Sequence, residues 1–412
     1  MSDNGDVSTG DSAHAASTAG PMDGVRVLDL SVALTGPLAT GILADQGAAV
    51  VKVERPPFGD QVRYVGTMAN GITSMFQVAN RGKRSMVIDL TDPRGVEIVL
   101  ELAKDVDVFV HNYRPGAVDR MGIGYETIKA QSSDVVYCSL SGFGQTGPYT
   151  KRRVYDTVIQ AASGIADSQT GLNDDKPVFI RQLLADKVTA YTACQAISAA
   201  LFARAMGRGG QHLELSMLDA NIAFLFVDAA GHEVALDGNH AGPTSSAANN
   251  TAIELQDGYL AVTPVTDPEF HGLAAAFGVD SSDPALATLG QRMANKEEMT
   301  AVMREIRSAA RDVSVADAAA ALDAEGAPFG IVRSVADVPF DPQVQANELF
   351  IEHEHPVMGR VRQTRSPTKF LGTPAEITKP DSPTLGQHTD EVLNEIGWTD
   401  RIDELRGDNV VF

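Results

Sequence analysis

Residues 24–54 hold two short β-rich runs, Gly24-Val-Arg-Val-Leu-Asp-Leu30 and Ala48-Ala-Val-Val-Lys-Val-Glu54. Between them lies a stretch of small residues, Ser31 to Gly47, that includes Thr35-Gly36-Pro37. Strand, helix and strand within about thirty residues make a βαβ unit, whose crossover is right-handed. The pattern then repeats. Ser85-Met-Val-Ile-Asp-Leu90 reads as a strand, Asp92 to Lys104 as a helix with Pro93 in its first turn, and Asp107-Val-Phe-Val-His111 as another strand. Val135-Val-Tyr-Cys-Ser-Leu140 follows and runs into Ser141-Gly-Phe-Gly-Gln-Thr-Gly-Pro148. This alternation predicts an α/β fold, a Rossmann-like parallel sheet with helices on both faces.

Further along, Asp186 to Met206 reads as one long helix closed by Gly207, Gly209 and Gly210. Gln211-His-Leu-Glu-Leu215 is a further strand, and Ser216-x-x-Asp219 resembles a capping box opening the next helix. Residues 21–238 form the first part of a large domain on this reading. The Gly, Ser, Asn and His content of 239–251 marks a linker. Asp257-Gly258 between two β-rich runs is a hairpin signal. With helices near Pro268–Phe277, Lys296–Ser308 and Ser314–Asp323, it makes 252–335 a smaller α+β domain. Residues 336–412 are read as a Pro-rich linker and a C-terminal part with a helix over Thr389–Ile396.

The 412-residue chain carries 33 Lys and Arg against 54 Asp and Glu, a formal net charge of −21. An acid excess of this size repels phosphate backbones and anionic lipid, so no nucleic-acid or membrane partner is expected. A local Arg cluster can still bind a phosphorylated small ligand. Two cysteines, Cys138 and Cys194, exclude a disulfide scaffold and a four-cysteine zinc site. Residues 1–20 lack Lys and Arg and read as a disordered tail, with neither a signal nor a transit peptide. The expected location is the cytoplasm.

Several residues could carry chemistry. The G-x-G-x-x-G spacing is absent after the first strand, so a dinucleotide is not expected. Arg55, Lys83, Arg84, Arg114 and Arg120 are read at or just beyond strand ends, where α/β sheets bind ligands. Asn112-Tyr113-Arg114-Pro115-Gly116 places an amide, an aromatic ring and a guanidinium in one turn, able to stack on a purine and pair with phosphate. Composition alone favours a solvated rim of charge. Asp186 follows Leu183-Leu-Ala185 and opens an Ala-rich helix. It can be an N-cap worth about 1 kcal/mol, or a nucleophile toward an activated acyl group. Position alone favours the cap. His353-x-His355 reads as an exposed strand end, no metal site is expected, and both cysteines read as core residues.

Taken in order, these motifs resemble the class III coenzyme A transferases, a family that includes formyl-CoA and carnitine-CoA transferases and the α-methylacyl-CoA racemases. The resemblance runs from Pro21 to Trp398. It rests on Gly24–Leu30, Thr35-Gly-Pro37, Gly47–Arg55, Asn80-Arg-Gly-Lys-Arg-Ser85, Asn112–Gly116, Arg120-Met-Gly122, Ser141-Gly-Phe-Gly144, Gly207–Gln211 and Gly386–Leu393. It implies that Asp186, in Leu-Leu-Ala-Asp, is the catalytic aspartate. It places Arg55, Ile88, Asn112, Tyr113, Arg114 and Arg120 at the nucleotide end of CoA, and Phe143 along the pantetheine. Leu34, Tyr155 and Asp156 fall at the substrate pocket.

The implied activity is CoA transfer from an acyl-CoA to a carboxylic acid through an aspartyl-CoA thioester. CoA enters as substrate, with no tightly bound cofactor and no metal. The implied assembly is an interlocked homodimer whose large domain is built from both chain ends. Two alternatives stand beside it: α-methylacyl-CoA racemisation, and a non-catalytic CoA-binding dimer. The racemases carry a Gly-His-Asp motif where this chain has Val154-Tyr155-Asp156, and tyrosine, with an ordinary pKa of about 10, is a poor base near neutrality. Val32, Ala33 and Leu34 also differ from the polar residues of formyl-CoA transferase, which argues against formate–oxalate exchange.

Overall fold

The computed structural model describes residues 20–170, 176–237, 252–375, 377 and 379–412. The tail assigned to 1–20 (all but its last residue) and the linker assigned to 239–251 lie outside these. The chain forms two compact units, one running to Val227 and resuming from Glu348 to Phe412, the other spanning Asp228–Asn347.

The first unit is built on six strands: β1 (Arg26–Asp29), β2 (Ala49–Glu54), β3 (Arg84–Val87), β4 (Val108–His111), β5 (Val136–Ser141) and β6 (Gln211–Ser216). They lie in the order β3-β2-β1-β4-β5-β6, every pair parallel. The order reverses between β1 and β4, so a crevice opens there beyond the carboxyl ends of the strands.

Alternation along each strand sends successive side chains to opposite faces. Val27, Val50, Val108, Val136 and Cys138 pack on one face with Ala39 and Leu43 of α1 (Thr35–Asp45). Ala190, Ala193 and Ile197 of a long helix, Leu184–Ala203, complete that layer. Leu28, Val51, Met86, Phe109 and Tyr137 pack on the other face, with Ile98 and Val99 of the helix Pro93–Ala103 and with Val392, Leu393, Leu405 and Val411 from the chain's end. The Asp92 side chain caps the Pro93 helix by accepting the Arg94 N–H (2.8 Å), worth about 1 kcal/mol. The long helix starts two residues before Asp186 and ends where Gly207 (φ +77°) and Gly209 (φ +75°) turn the chain.

In the second unit, Ile253–Glu254, Tyr259–Val262 and Phe329–Ile331 form an antiparallel sheet against helices Asp267–Ala276, Lys296–Ala310 and Val315–Ala324. This unit continues to Asn347, twelve residues past the boundary expected at 335, and Arg333 Nη2 pairs with Asp341 Oδ2 (2.6 Å) within it.

One surface expectation fails. His355 is buried, its Nδ1 accepting the Val357 and Met358 N–H groups (3.0 and 3.1 Å), while His353 meets Asp381 Oδ1 (2.9 Å). The pair therefore fastens the antiparallel ribbon Phe350–His355 and Gly359–Thr364 within the first unit. Among the described residues, no helix is long and apolar enough to cross a membrane, and no group of three or more His, Cys, Asp or Glu could hold a metal.

Candidate active site around Asp186

The loop from Ser31 to Leu34, leaving β1 at the crevice, is held by side chains from the ends of β1 and β2 and from the loops after β2 and β4. Asp29 Oδ1 accepts the Ser31 N–H (2.9 Å), and Lys52 Nζ donates to the Ser31 carbonyl (2.7 Å). The Asn112 amide takes both main-chain groups of Val32, accepting its N–H (2.9 Å) and donating to its carbonyl (2.7 Å). Asp60 Oδ1 accepts the N–H of Ala33 (2.9 Å), a non-glycine residue held at φ +66°. Such backbone costs on the order of 1–3 kcal/mol and persists where the surroundings enforce it. Gly36 follows because a Cβ there would come within 2.3 Å of Ser31 Cβ and Oγ.

The supporting charges are themselves buried. Lys83 Nζ meets Asp29 Oδ2 (3.0 Å), the Pro37 carbonyl (2.7 Å), Thr40 Oγ1 (2.8 Å) and Asn80 Oδ1 (2.9 Å). Lys52 Nζ pairs with Asp60 Oδ2 (3.0 Å), and Arg63 forks onto Glu54 (2.8 and 2.7 Å). Burial alone would raise the Asp29 carboxyl, but Lys83, Lys52 and hydrogen bonds from Ser31 and Thr40 hold it well below the usual range. Burial lowers the Lys83 ammonium to about 8, the Asp29 charge offsetting part of the effect.

The loop delivers Thr35, whose hydroxyl donates to Asp186 Oδ1 (2.6 Å). Asp186 is therefore not a cap. It sits in the first turn of its helix, and its side chain crosses to α1 while Leu183 holds the cap position without a side-chain bond. Its main-chain N–H goes to Asp156 Oδ2 (3.1 Å). Burial pushes the Asp186 carboxyl up, the Asp156 charge adds to this, and the Thr35 hydrogen bond acts against both. A carboxylate raised in this way, with one oxygen anchored and no cation on it among the described residues, is suited to nucleophilic attack.

The other sequence candidates divide. Phe143 packs with Val154 against the cluster containing Ala185, next to Asp186. Leu34 and Asp156 are buried, and Tyr155 is 64% exposed. Tyr113 stacks on His111 (ring centroids 6.1 Å apart) and donates its N–H to His111 Nδ1 (3.2 Å). Burial, with a smaller effect of His212, pushes that imidazole down to about 3, so it stays a neutral acceptor.

Arg55, Arg114 and Arg120 are exposed and pair with no carboxylate among the described residues. Three candidates are committed elsewhere. Ile88 is fully buried in the core with its N–H on the Glu54 carbonyl (2.9 Å). Lys83 and Arg84 enter at the amino end of β3, where Lys83 serves Asp29 and Arg84 meets Glu391 (2.9 Å). Both cysteines are buried, their thiols pushed up by burial to about 12 for Cys138 and about 11 for Cys194, as core residues would be.

Sequence reasoning missed Thr35, Lys52, Asp60 and His111 as site supports. A lysine within the apolar run Val50-Val-Lys-Val53 was the one local signal.

A doubly wound sheet with the Asp186 carboxylate held beside the loop that leaves β1 is the framework against which the relatives are compared. The sequence matches CoA-transferase family III over residues 22–389, and the chain belongs to that family. It is 34% identical over 381 residues to the succinyl-CoA:glutarate CoA-transferase of Mus musculus, covering 91% of this chain and 86% of the relative. It is 32% identical to the formyl-CoA:oxalate CoA-transferase of Streptomyces coelicolor, covering 94% of this chain and 98% of the relative. A CaiB/BaiF family protein from Brucella suis superposes with a TM-score of 0.78 at 32% identity, covering 92% of this chain and all of that one. The protein is a class III CoA-transferase.

Proposed function

We propose that the protein moves CoA from an acyl-CoA to a carboxylic acid by covalent catalysis at Asp186. The observation that carries this is the half-buried Asp186 carboxylate, with Oδ1 held by Thr35 and Oδ2 left to attack. Oδ2 attacks the thioester carbonyl, giving a mixed anhydride and a CoA thiolate. The thiolate attacks the aspartyl carbonyl, releasing the donor acid and leaving aspartyl-CoA thioester. The acceptor carboxylate then attacks that carbonyl and expels the thiolate, which returns to the acceptor's acyl carbon and frees Asp186. The overall reaction exchanges one thioester for another of comparable energy, and every step balances without an oxidant or ATP. Arg55, Arg114 and Arg120 are assigned to the CoA phosphates, and Phe143 to the pantetheine.

Short dicarboxylates come first as acceptors, supported by the named activity of the mouse relative. An assay supplying succinyl-CoA and a panel of mono- and dicarboxylic acids is expected to show CoA exchange. The racemase alternative requires deuterium wash-in at the α-carbon of a 2-methylacyl-CoA without any acceptor; such exchange, with no CoA transfer to any acid, rejects the proposal. CoA affinity with neither reaction points to the non-catalytic reading.

Thr35→Val removes the hydrogen bond that favours the ionised Asp186. The acidic limb of the pH–rate profile is expected to move to higher pH, with kcat lowered by roughly tenfold or more. A limb that stays in place contradicts the assignment of Asp186.

The same proposal includes the interlocked homodimer. Exposed apolar side chains on and just after the Asp186 helix and the helix Met217–Leu225, among them Tyr191, Phe202, Met206, Phe224 and Phe226, support a partner surface. Sedimentation is expected to give twice the 43.6 kDa chain mass, and a monomer at micromolar concentration rejects it.

A further inference from the structure

Asp156 was placed in the substrate pocket by resemblance, but its side chain is directed inward and spent. It opens the helix Asp156–Ala162, is 2% exposed, and accepts from Gln160 Nε2 on Oδ1 (2.6 Å) and from the Asp186 N–H on Oδ2 (3.1 Å). Gln160 in turn fastens the segment that leads into the Asp186 helix. Its Oε1 accepts the Ile180 N–H (2.9 Å), and its Nε2 reaches the Ile180 and Gln182 carbonyls (3.2 Å each). The two residues thus clamp the backbone on which the nucleophile stands.

The electrostatics of the arrangement need a reason. Two carboxylates share one small region, and among the described residues neither is paired with a cation. On its own helix, the neighbouring Lys187 turns its Nζ to Gln182 Oε1 (2.8 Å). From α1 comes only the Thr35 hydroxyl, and from the helix Met217–Leu225 the neutral Asn221 amide, which binds the Ala185 carbonyl (3.1 Å). Like charges placed together disfavour the ionised form of at least one of them, so a purely structural clamp would be better served by a neutral amide.

We infer that Asp156 is a positioning residue for the reaction, holding the main chain of Asp186 and setting an uncompensated negative charge beside its carboxylate. The inference rests on Asp186 being the nucleophile. When Asp186 Oδ2 bonds to the acyl carbon, its negative charge passes to the CoA thiolate and the acylated side chain is neutral. Repulsion from Asp156 is present before attack and relieved by it. A neighbour that destabilises the free carboxylate more than the transition state lowers the barrier.

The test uses the full-length protein, with kcat, KM and pH profiles of CoA exchange measured for wild type, Asp156→Asn and Asp156→Glu. Asp156→Asn keeps the side chain's size and loses the charge. It is expected to leave KM for acyl-CoA within about twofold, to lower kcat by roughly tenfold or more, and to move the acidic limb to lower pH. Asp156→Glu keeps the charge and is expected to keep the limb near the wild-type position.

A loss of activity in both variants with no shift in Asp156→Asn makes Asp156 a structural clamp and overturns the inference. So does full activity of Asp156→Asn with an unmoved limb. Should Asp156→Asn fail to fold, the wild-type profile decides: a limb at or below about pH 4, the ordinary aspartate value, overturns it. Hydroxylamine trapping at Asp186 in the wild type is run alongside. Its absence, rather than any result with Asp156, is what removes the nucleophile reading.

Discussion

Asp186→Ala is expected to abolish CoA exchange, lowering kcat by at least about 10⁴-fold, the scale seen when a covalent nucleophile is removed. Binding of CoA, measured by calorimetry, is expected to survive, because Arg55, Arg114 and Arg120 lie on the loops after β2 and β4 and in the turn beyond. Asp186→Asn is the stricter version. It keeps the shape and an oxygen for the Thr35 hydroxyl, yet offers no carboxylate, and it is expected to be as inactive as the alanine variant. Among the described residues, the other nucleophile candidates raised by the sequence are not placed to substitute. Cys138 and Cys194 are buried in the core with thiols pushed up to about 12 and 11, and the Tyr155 side chain lies exposed. Turnover within tenfold of wild type in either variant contradicts the proposed chemistry.

The second large effect falls on stability. Lys83→Met leaves the Asp29 carboxylate fully buried with its nearest cation gone, and breaking a buried pair in this way costs about 3–5 kcal/mol. Thermal unfolding at neutral pH is expected to show the loss, and the double variant Asp29→Asn, Lys83→Met to recover a large part of it. The pH dependence has a definite sign. The folded Asp29 and Glu54 carboxyls lie below their unfolded values. Their contribution is therefore in place above about pH 4 and is lost as pH falls through the folded values. In Lys83→Met the Asp29 carboxyl has lost that support and accepts a proton more readily, so the gap to wild type is expected to narrow on acidification. A gap that is constant or widens toward acid contradicts the network. Activity is expected to fall with stability, because Asp29 also holds the Ser31 N–H at the base of the loop that presents Thr35.

The framework of the first unit was legible because its signals are local. Apolar runs at Gly24–Leu30, Ala48–Glu54, Ser85–Leu90, Asp107–His111 and Val135–Leu140 each overlap an observed strand, and Pro93 and Gly207 mark the helix ends they were read to mark. The site was legible only in part. Thr35 was visible as a member of a small-residue motif, but its bond to Asp186 spans 151 positions, and no local pattern announces a contact of that range. For the same reason Lys83 read as a ligand-facing cation, although its long side chain runs inward to Asp29. Asp186 read as a cap because position at a helix start is a local property, whereas the reach of its carboxylate depends on α1 packing beside its helix. Ile88 and Asn112 also carry structural roles that no local pattern announced: the Ile88 side chain lies in the core, and the Asn112 amide holds the Val32 backbone.

The central claim is that Asp186 is transiently acylated and then carries CoA. The most direct test mixes the full-length protein with succinyl-CoA, quenches with hydroxylamine, digests, and maps the modified residue by mass spectrometry. An aspartyl hydroxamate at position 186, dependent on the acyl-CoA and absent from Asp186→Asn, is the predicted result. CoA exchange proceeding at full rate with no modification at Asp186, or with the label on another residue, would contradict it.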